Sequence, residues 1–329
     1  MKKVKVAVVC GGYSGEYEIS IGSGQVVYEA LNRKIFEPYL VVIYKDRWVL
    51  LESSGTELRV DKNDFSVERP GLERLHFDAV FIAVHGVPGE DGRLQGYFDM
   101  LNLPYSSCNA AVSAITFNKN FCKQAVAHTG IRLSKSVLIR RGDAFDQQEI
   151  IKALGLPLFV KPNSNGSSVG VTKVKEAENL EPAIRSAMQH DEEVLIEEAI
   201  VGREIACGVM EFKGRMMVFP LTEIVSHNEF FDYEAKYTPG KSDEITPANL
   251  SEEDTLEIQA TTANLYKWLG CRGIVRFDYI LTDHGLYFLE VNTVPGFSKA
   301  SIIPQQAQSM GISLENLFGM AIENVVIRS

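Results

Sequence analysis

Cysteine is scarce in this chain: Cys10, Cys108, Cys122, Cys207 and Cys271 are scattered among 329 residues, with no C-x-x-C pair and no histidine at ligand spacing. An odd, dispersed set excludes a disulfide framework and leaves reduced, mostly buried thiols. Long apolar runs are missing as well, and none approaches the ~18 residues that a membrane span needs. The start Met1-Lys2-Lys3-Val4 has the charge of a signal peptide, but the apolar stretch behind it holds Lys5, ends at Gly11-Gly12 and offers no small-residue cleavage site. A soluble, cytoplasmic protein without membrane association is expected. Nor is there an excess of positive charge. Lys and Arg number 33 against 43 Asp and Glu, for a net charge of -10, which excludes nonspecific nucleic-acid binding because phosphate backbones demand clustered cations. An anionic cofactor must be met by local lysines.

What is present is an ordinary globular composition, 45% hydrophobic and free of low-complexity tracts, in a chain long enough for two or three domains. Lys3 to Cys10 is a nearly continuous apolar strand of the kind buried on both faces of a parallel sheet. Gly11-Gly12-Tyr13-Ser14-Gly15-Glu16 follows, and Ser20 to Lys34 carries apolar residues at helical spacing. Further strands at Tyr39 to Tyr44 and Asp78 to Val84 complete an α/β, Rossmann-like reading of residues 1–117. Gly-Gly-x-x-Gly-Glu is not a dinucleotide fingerprint. Ligands in such sheets sit beyond the carboxyl ends of the strands, where Glu16 and His85 both fall. Glu16 reads either as a group that holds an ammonium or as a solvated loop carboxylate. His85 reads as a packing or capping histidine or as a participant in chemistry.

Ala110 to Thr129 is helical in period and carries Lys119 and Lys123. Ser136 to Ile139, a helix near Gln147 to Leu154 and the strand Pro157 to Lys161 make a second α/β region. Pro162-Asn163-Ser164-Asn165-Gly166-Ser167-Ser168-Val169-Gly170 then joins two strands, so it is not a P-loop, which must open a helix. It is either a flap laying N–H and hydroxyl groups over phosphates or a plain hairpin loop. Glu193 to Ile200 is a strand with acids at its end, suited to a ribose and base or simply solvated. Ser226 to Leu250 is long, polar and aromatic with no period, as lids and binding loops are. Helices are expected at Glu252 to Trp268 and Ser313 to Val326.

The most informative stretch is Gly273 to Asn292. Two β-branched and aromatic runs flank a short turn, as in an antiparallel hairpin. With the turn centred on His284, Asp278 faces Glu290 and Arg276 faces Asn292. Side chains alternate, so these four share one face while Phe277, Tyr279, Leu289 and Val291 take the other. Facing carboxylates repel by ~4 kcal/mol at ~4 Å in a dielectric of about 20. Either Arg276 and a hard divalent cation compensate, or the face is a solvated one with an ordinary ion pair. Because the repulsion opposes folding, Asp278→Asn or Glu290→Gln is expected to lower turnover far more than stability.

Taken together, Gly11-Gly12-x-Ser14-x-Glu16, Val84-His85-Gly86, Gly166-Ser167-Ser168-Val169-Gly170, Tyr233-Glu234-Ala235-Lys236-Tyr237, Arg276-x-Asp278, Glu290-x-Asn292 and Asn292-Thr293-x-Pro295-Gly296 resemble the D-alanine:D-alanine ligases of the ATP-grasp superfamily, over essentially the whole length. The resemblance implies an α/β fold, α+β in parts: an N-terminal Rossmann-like parallel sheet domain (1–117), a central small α/β domain (118–200) and a C-terminal mixed-sheet domain (201–329) with the metal hairpin and a lid. It implies a peptidoglycan-precursor ligase that activates one D-alanine as an acyl phosphate and couples it to a second.

By the same resemblance, ATP would be held by Lys119, Lys161, Ser168, Lys236 and Phe230, with Glu197, Glu198, Ile200, Glu204 and Leu289 around the adenosine. Asp278, Glu290 and Asn292 would carry two Mg²⁺ ions, with Mn²⁺ as a substitute. Glu16, with His85 nearby, would hold the first ammonium; Arg276 and the Gly296 N–H would stabilise the oxyanion; Ser301 and the Ile302 N–H would take the second carboxylate. Ser167 and Tyr237, bonded with Glu16, would latch the flap and lid, and Tyr237 favours an amine as second nucleophile. Relatives of this kind are commonly homodimers.

Overall fold

The computed structural model of the chain describes residues 2–226 and 242–326. Its strands form three sheets. In the first, β1 (Val4–Gly11), β2 (Phe36–Ile43), β3 (Trp48–Leu51), β4 (Glu57–Asp61), β5 (Ser66–Val67) and β6 (Ala79–Ile82) lie in the order β5-β4-β3-β2-β1-β6. Only β2-β1-β6 is parallel; β2 to β5 run antiparallel, so the parallel sheet expected here is extended by a meander. β1 is buried along most of its length, which is why its sequence does not alternate.

α1 (Tyr17–Ala30) leaves the end of β1, and its Ser20 hydroxyl pins it there, accepting from Gly11 N–H at 2.8 Å and donating to Ala83 O at 2.7 Å. α2 (Arg93–Met100) precedes α3 (Ala110–Phe117) and α4 (Lys119–Ala127). The last two were expected as one helix. Asn118 breaks it, because its side chain caps α4 by accepting from Phe121 N–H at 2.8 Å.

β7 (Arg132–Leu133) and β8 (Ser136–Arg140) follow, then α5 (Gln147–Leu154), β9 (Leu158–Pro162), β10 (Thr172–Val174), α6 (Leu180–Ala187) and β11 (Glu193–Glu198). The second sheet has the order β10-β9-β11-β8, with the 163–171 loop joining antiparallel neighbours as a hairpin. The third contains β12 (Arg203–Phe212), β13 (Arg215–Val218), β14 (Thr222–Ser226), β15 (Ser242–Ile245), β16 (Val275–Thr282) and β17 (Gly285–Asn292), ordered β15-β14-β12-β16-β17-β7 with β13 beside β12. α7 (Glu252–Trp268), capped by Ser251, covers β12, while α8 (Ile302–Ser309) and α9 (Leu314–Val326) complete the described chain.

The cores do not follow the division at 117 and 200. Ile303, Leu317, Phe318 and Ile322 from α8 and α9 pack into the N-terminal core, where Phe318 meets Phe81 edge-on. Cys108, Val112, Cys122 and Val126 pack under the third sheet. Facing elements from all parts of the chain are thereby fixed around one cleft. No described helix is long and apolar enough to cross a membrane.

Candidate active site

The β16–β17 hairpin pairs Arg276 with Asn292 and Asp278 with Glu290, as the alternation requires. The route to that register differs from expectation. The turn is the two-residue Asp283-His284, with Thr282 opposite Gly285, and a bulge beside Tyr279 restores the pairing of the polar residues. The bulge turns Leu289 off the core face: Leu286, Phe288 and Val291 enter the core, and Leu289 lines a cavity instead.

Asp278 is 3% exposed. Arg276 grips it through two bonds, Nε to Oδ1 at 2.8 Å and Nη2 to Oδ2 at 2.7 Å, and Asn292 Nδ2 donates to Oδ2 at 3.0 Å. Burial opposes the Arg276 charge, but Asp278, Glu290 and Glu244 outweigh it and raise the pKa of the guanidinium. Glu290 stands nearer the opening, with Lys119 Nζ 3.9 Å away.

Two adjoining cavities meet at this hairpin. One of about 540 Å³ is lined by Lys119, Lys161, Ser168, Glu197, Glu198, Ile200, Glu204 and Leu289. The other, of about 390 Å³, is lined by Glu16, His85, Arg276, Asn292, Gly296, Ser301 and Ile302. Lys119, Gly166, Ser167 and Glu290 border both. Asp278 borders neither, lying behind Arg276. Phe230, Lys236 and Tyr237 lie outside the described residues.

In the larger cavity, Glu197 is buried between two lysines: Lys123 Nζ donates to Oε1 and Lys161 Nζ to Oε2, while Ser134 Oγ reaches Oε1 at 2.9 Å. Burial works to raise the Glu197 pKa, but the two ammonium groups prevail and hold it at about 2, below its ordinary 4.5. The stability contributed by this ionised triad is therefore complete above pH 4.5 and is lost as the pH falls toward about 2. Glu197→Gln should flatten the fall of Tm across that window; parallel Tm-against-pH curves for variant and parent would contradict the assignment.

The flap closes the boundary between the cavities. Lys119 Nζ donates to Asn165 O at 2.6 Å, and the Ser167 hydroxyl bonds Glu16 Oε1 across 151 residues of sequence. Ser167 and Ser168 hold φ of 52° and 56°, left-handed values that a non-glycine residue adopts at some cost. At Gly166 a Cβ would stand 2.6 Å from Glu16 Oε2, so glycine lets the flap approach that carboxylate.

His85 is enclosed, with both ring nitrogens engaged: Nδ1 lies 2.8 Å from Val294 O and Nε2 2.9 Å from Ser23 Oγ. Burial lowers its pKa, favouring the neutral ring that donates from Nδ1 and accepts at Nε2. Ser23 Oγ in turn accepts from Phe297 N–H at 3.2 Å. His85 thus ties α1 to the 293–298 turn. Sequence reasoning did not single out Glu90, which accepts from Gly86 N–H at 2.9 Å and Val294 N–H at 3.3 Å. Burial and then the charge on Glu16 push it up to about 8, so near neutrality it adds little negative charge to the cleft.

Among the described residues no three His, Cys, Asp or Glu are grouped to hold a metal ion. The hairpin offers a different set of oxygens. Glu290 carries a carboxylate at the cavity edge, and the Asn292 carbonyl oxygen remains after its NH₂ has bonded Asp278. Asp278 has roughly one of its four acceptor positions left after three bonds. Such an oxygen set fits Mg²⁺, which takes one or two protein carboxylates and completes its shell with phosphate and water.

Residues 5–108 match the family model described as D-ala D-ala ligase N-terminus, and residues 125–323 match D-ala D-ala ligase C-terminus. A D-alanine–D-alanine ligase of Bacteroides fragilis is 46% identical over 323 residues, 98% of this chain and 99% of that one. One from Flavobacterium johnsoniae is 46% identical over 318 residues, covering 97% and 98%. Among solved structures, the VanG D-Ala:D-Ser ligase from Enterococcus faecalis superposes with a TM-score of 0.85 at 33% identity, covering 97% of this chain and 98% of that one. The D-alanyl-alanine synthetase A from Vibrio cholerae does so with 0.89 at 28%, covering 99% of each.

Proposed function

The chain belongs to the D-alanine–D-alanine ligase family, and from that premise we propose how its two cavities divide the work. It is an ATP-dependent ligase that makes D-alanyl-D-alanine for peptidoglycan synthesis. The larger cavity receives ATP and the smaller one both D-alanine molecules. The observation that carries this reading is the shared wall: Lys119, Ser167 and Glu290 border both spaces, so a terminal phosphate in one lies against a carboxylate in the other.

The first D-alanine docks its ammonium at Glu16 and offers its carboxylate to the γ-phosphate. An O–P bond forms as the bond to ADP breaks, giving an acyl phosphate. The ammonium of the second D-alanine gives up one proton to water, and the neutral amine attacks the acyl carbon. The C–O bond to phosphate breaks as the C–N bond is completed, and the leaving phosphate takes the second amine proton. Phosphoryl transfer of this kind is mostly positioning and charge stabilisation. Lys119 and Lys161 neutralise phosphate oxygens. Mg²⁺ held at Glu290 and Asn292, with Asp278 behind, would supply further charge neutralisation when bound. Arg276 and the Gly296 N–H face the tetrahedral oxyanion, each such donor contributing about 3 kcal/mol. The Glu16–Ser167 contact supports a latch role for the flap, which excludes water from a hydrolysable intermediate.

Incubation with ATP, Mg²⁺ and D-alanine should release phosphate in a D-alanine-dependent manner and yield the dipeptide. Hydrolysis of ATP without D-alanine, or turnover only with another amino acid, would overturn the reading.

A further inference from the structure

We propose that Glu244, on β15, receives the ammonium group of the acceptor amino acid and so selects an amine over a hydroxyl as the second nucleophile. The inference rests on the smaller cavity being the site of both amino acids. Four carboxylates line that cavity: Glu16, Glu90, Glu244 and Glu290. Three have assigned partners. Glu16 meets the Ser167 hydroxyl and is reserved for the first ammonium, Glu90 binds two backbone N–H groups, and Glu290 faces Lys119. Glu244 is held through one oxygen only. Its Oε2 accepts from Gln305 Nε2 at 2.8 Å, and Oε1 has no hydrogen-bond partner among the described residues.

Gln305 lies in the first turns of α8, behind Ser301 at the helix start, and its Nε2 also donates to Ala300 O at 2.7 Å. Glu244 is thereby fixed beside the helix end where the acceptor carboxylate docks. An α-amino acid carries its ammonium one carbon from its carboxylate. A carboxylate next to an anion-binding helix start is the complement of that zwitterion. Burial lifts the Glu244 carboxyl above its ordinary pKa, against the pull of Arg276, so an arriving cation favours the ionised form. A hydroxy acid brings no cation and leaves Oε1 facing a neutral hydroxyl, a mismatch of the kind by which polar sites discriminate strongly.

Glu244→Gln keeps an acceptor for Gln305 while removing the charge. The acceptor KM for D-alanine, separated from the donor KM by initial rates over a wide concentration range, should rise about tenfold or more. The ATP and donor KM values should stay within about twofold, because Glu244 does not line the nucleotide cavity and the donor ammonium is assigned to Glu16. In a mixture of D-alanine and D-lactate, the ratio of depsipeptide to dipeptide should rise at least about fivefold, a quantity independent of the folded fraction. An unchanged acceptor KM and product ratio would overturn the proposal. So would Gln305→Ala reproducing the whole shift in product ratio, since that variant cuts the tether and leaves the charge. If the parent chain makes no dipeptide from D-alanine and ATP, the ligase reading itself fails, which is a separate outcome.

Discussion

Glu290→Gln should lower kcat by about two to three orders of magnitude while shifting Tm by no more than a few degrees. The Glu290 side chain is 29% exposed, and Lys119 stands 3.9 Å away in a cleft open to water. When its charge is removed, Lys119 keeps its bond to Asn165 O and Arg276 keeps both bonds to Asp278, so folding loses little. Catalysis loses a carboxylate that borders both the nucleotide cavity and the substrate cavity, where charge must be balanced as the phosphoryl group moves. Steady-state kinetics beside thermal melts check the pair of effects; a stability loss comparable with the loss of rate would make Glu290 a structural residue.

Asp278→Asn should behave in the opposite way, costing about 3–5 kcal/mol of unfolding free energy as well as activity. Like-charge repulsion across the strands suggested that either carboxylate is dispensable for folding. For Asp278 that expectation is corrected by the two-bond grip of Arg276, whose side chain is 16% exposed and would lose the one carboxylate that it bonds directly. The freed guanidinium would also lose the orientation toward the oxyanion that we propose for it. Urea titration of parent and variant measures the stability term. A variant as stable as the parent would mean that the guanidinium finds another anion.

The contrast between these carboxylates marks what a sequence can and cannot disclose. Alternation alone put Arg276, Asp278, Glu290 and Asn292 on one face, and the hairpin bears this out. Alternation does not reveal depth, and depth separates Asp278 from Glu290. A bulge is equally silent, since it inserts one residue without disturbing composition, and so Leu289 changed faces. The helices near Gln147–Leu154 and at Glu252–Trp268 lie where their periods place them, each capped by a polar residue, Asp146 and Ser251, whereas the first helix runs Tyr17–Ala30 and not from Ser20 to Lys34. Asn118 was not, because the apolar period runs through it and only the side-chain bond to Phe121 makes it a cap. β3 to β5 went unseen because they are runs of only two to five residues, apolar without alternation in Trp48–Leu51 and mixed with charge in Glu57–Asp61.

Within the cleft, the sequence singles out residues belonging to recognisable strings and passes over those defined by distant partners. Glu90 acquires its role from Val294, 204 residues away, and Glu244 from Gln305, 61 residues away. Lys123 was noticed beside Lys119 but given no task. Its partner Glu197 sits 74 residues on, and only the fold shows that they share a buried charge.

Divalent-metal binding bears most directly on the claim that the acidic face of the hairpin meets the triphosphate. Mn²⁺ titration followed by electron paramagnetic resonance, with and without a non-hydrolysable ATP analogue, should show tight binding that depends on the nucleotide, weakened at least about tenfold in Glu290→Gln. Equal Mn²⁺ affinity in parent and variant, or binding indifferent to the nucleotide, would contradict it.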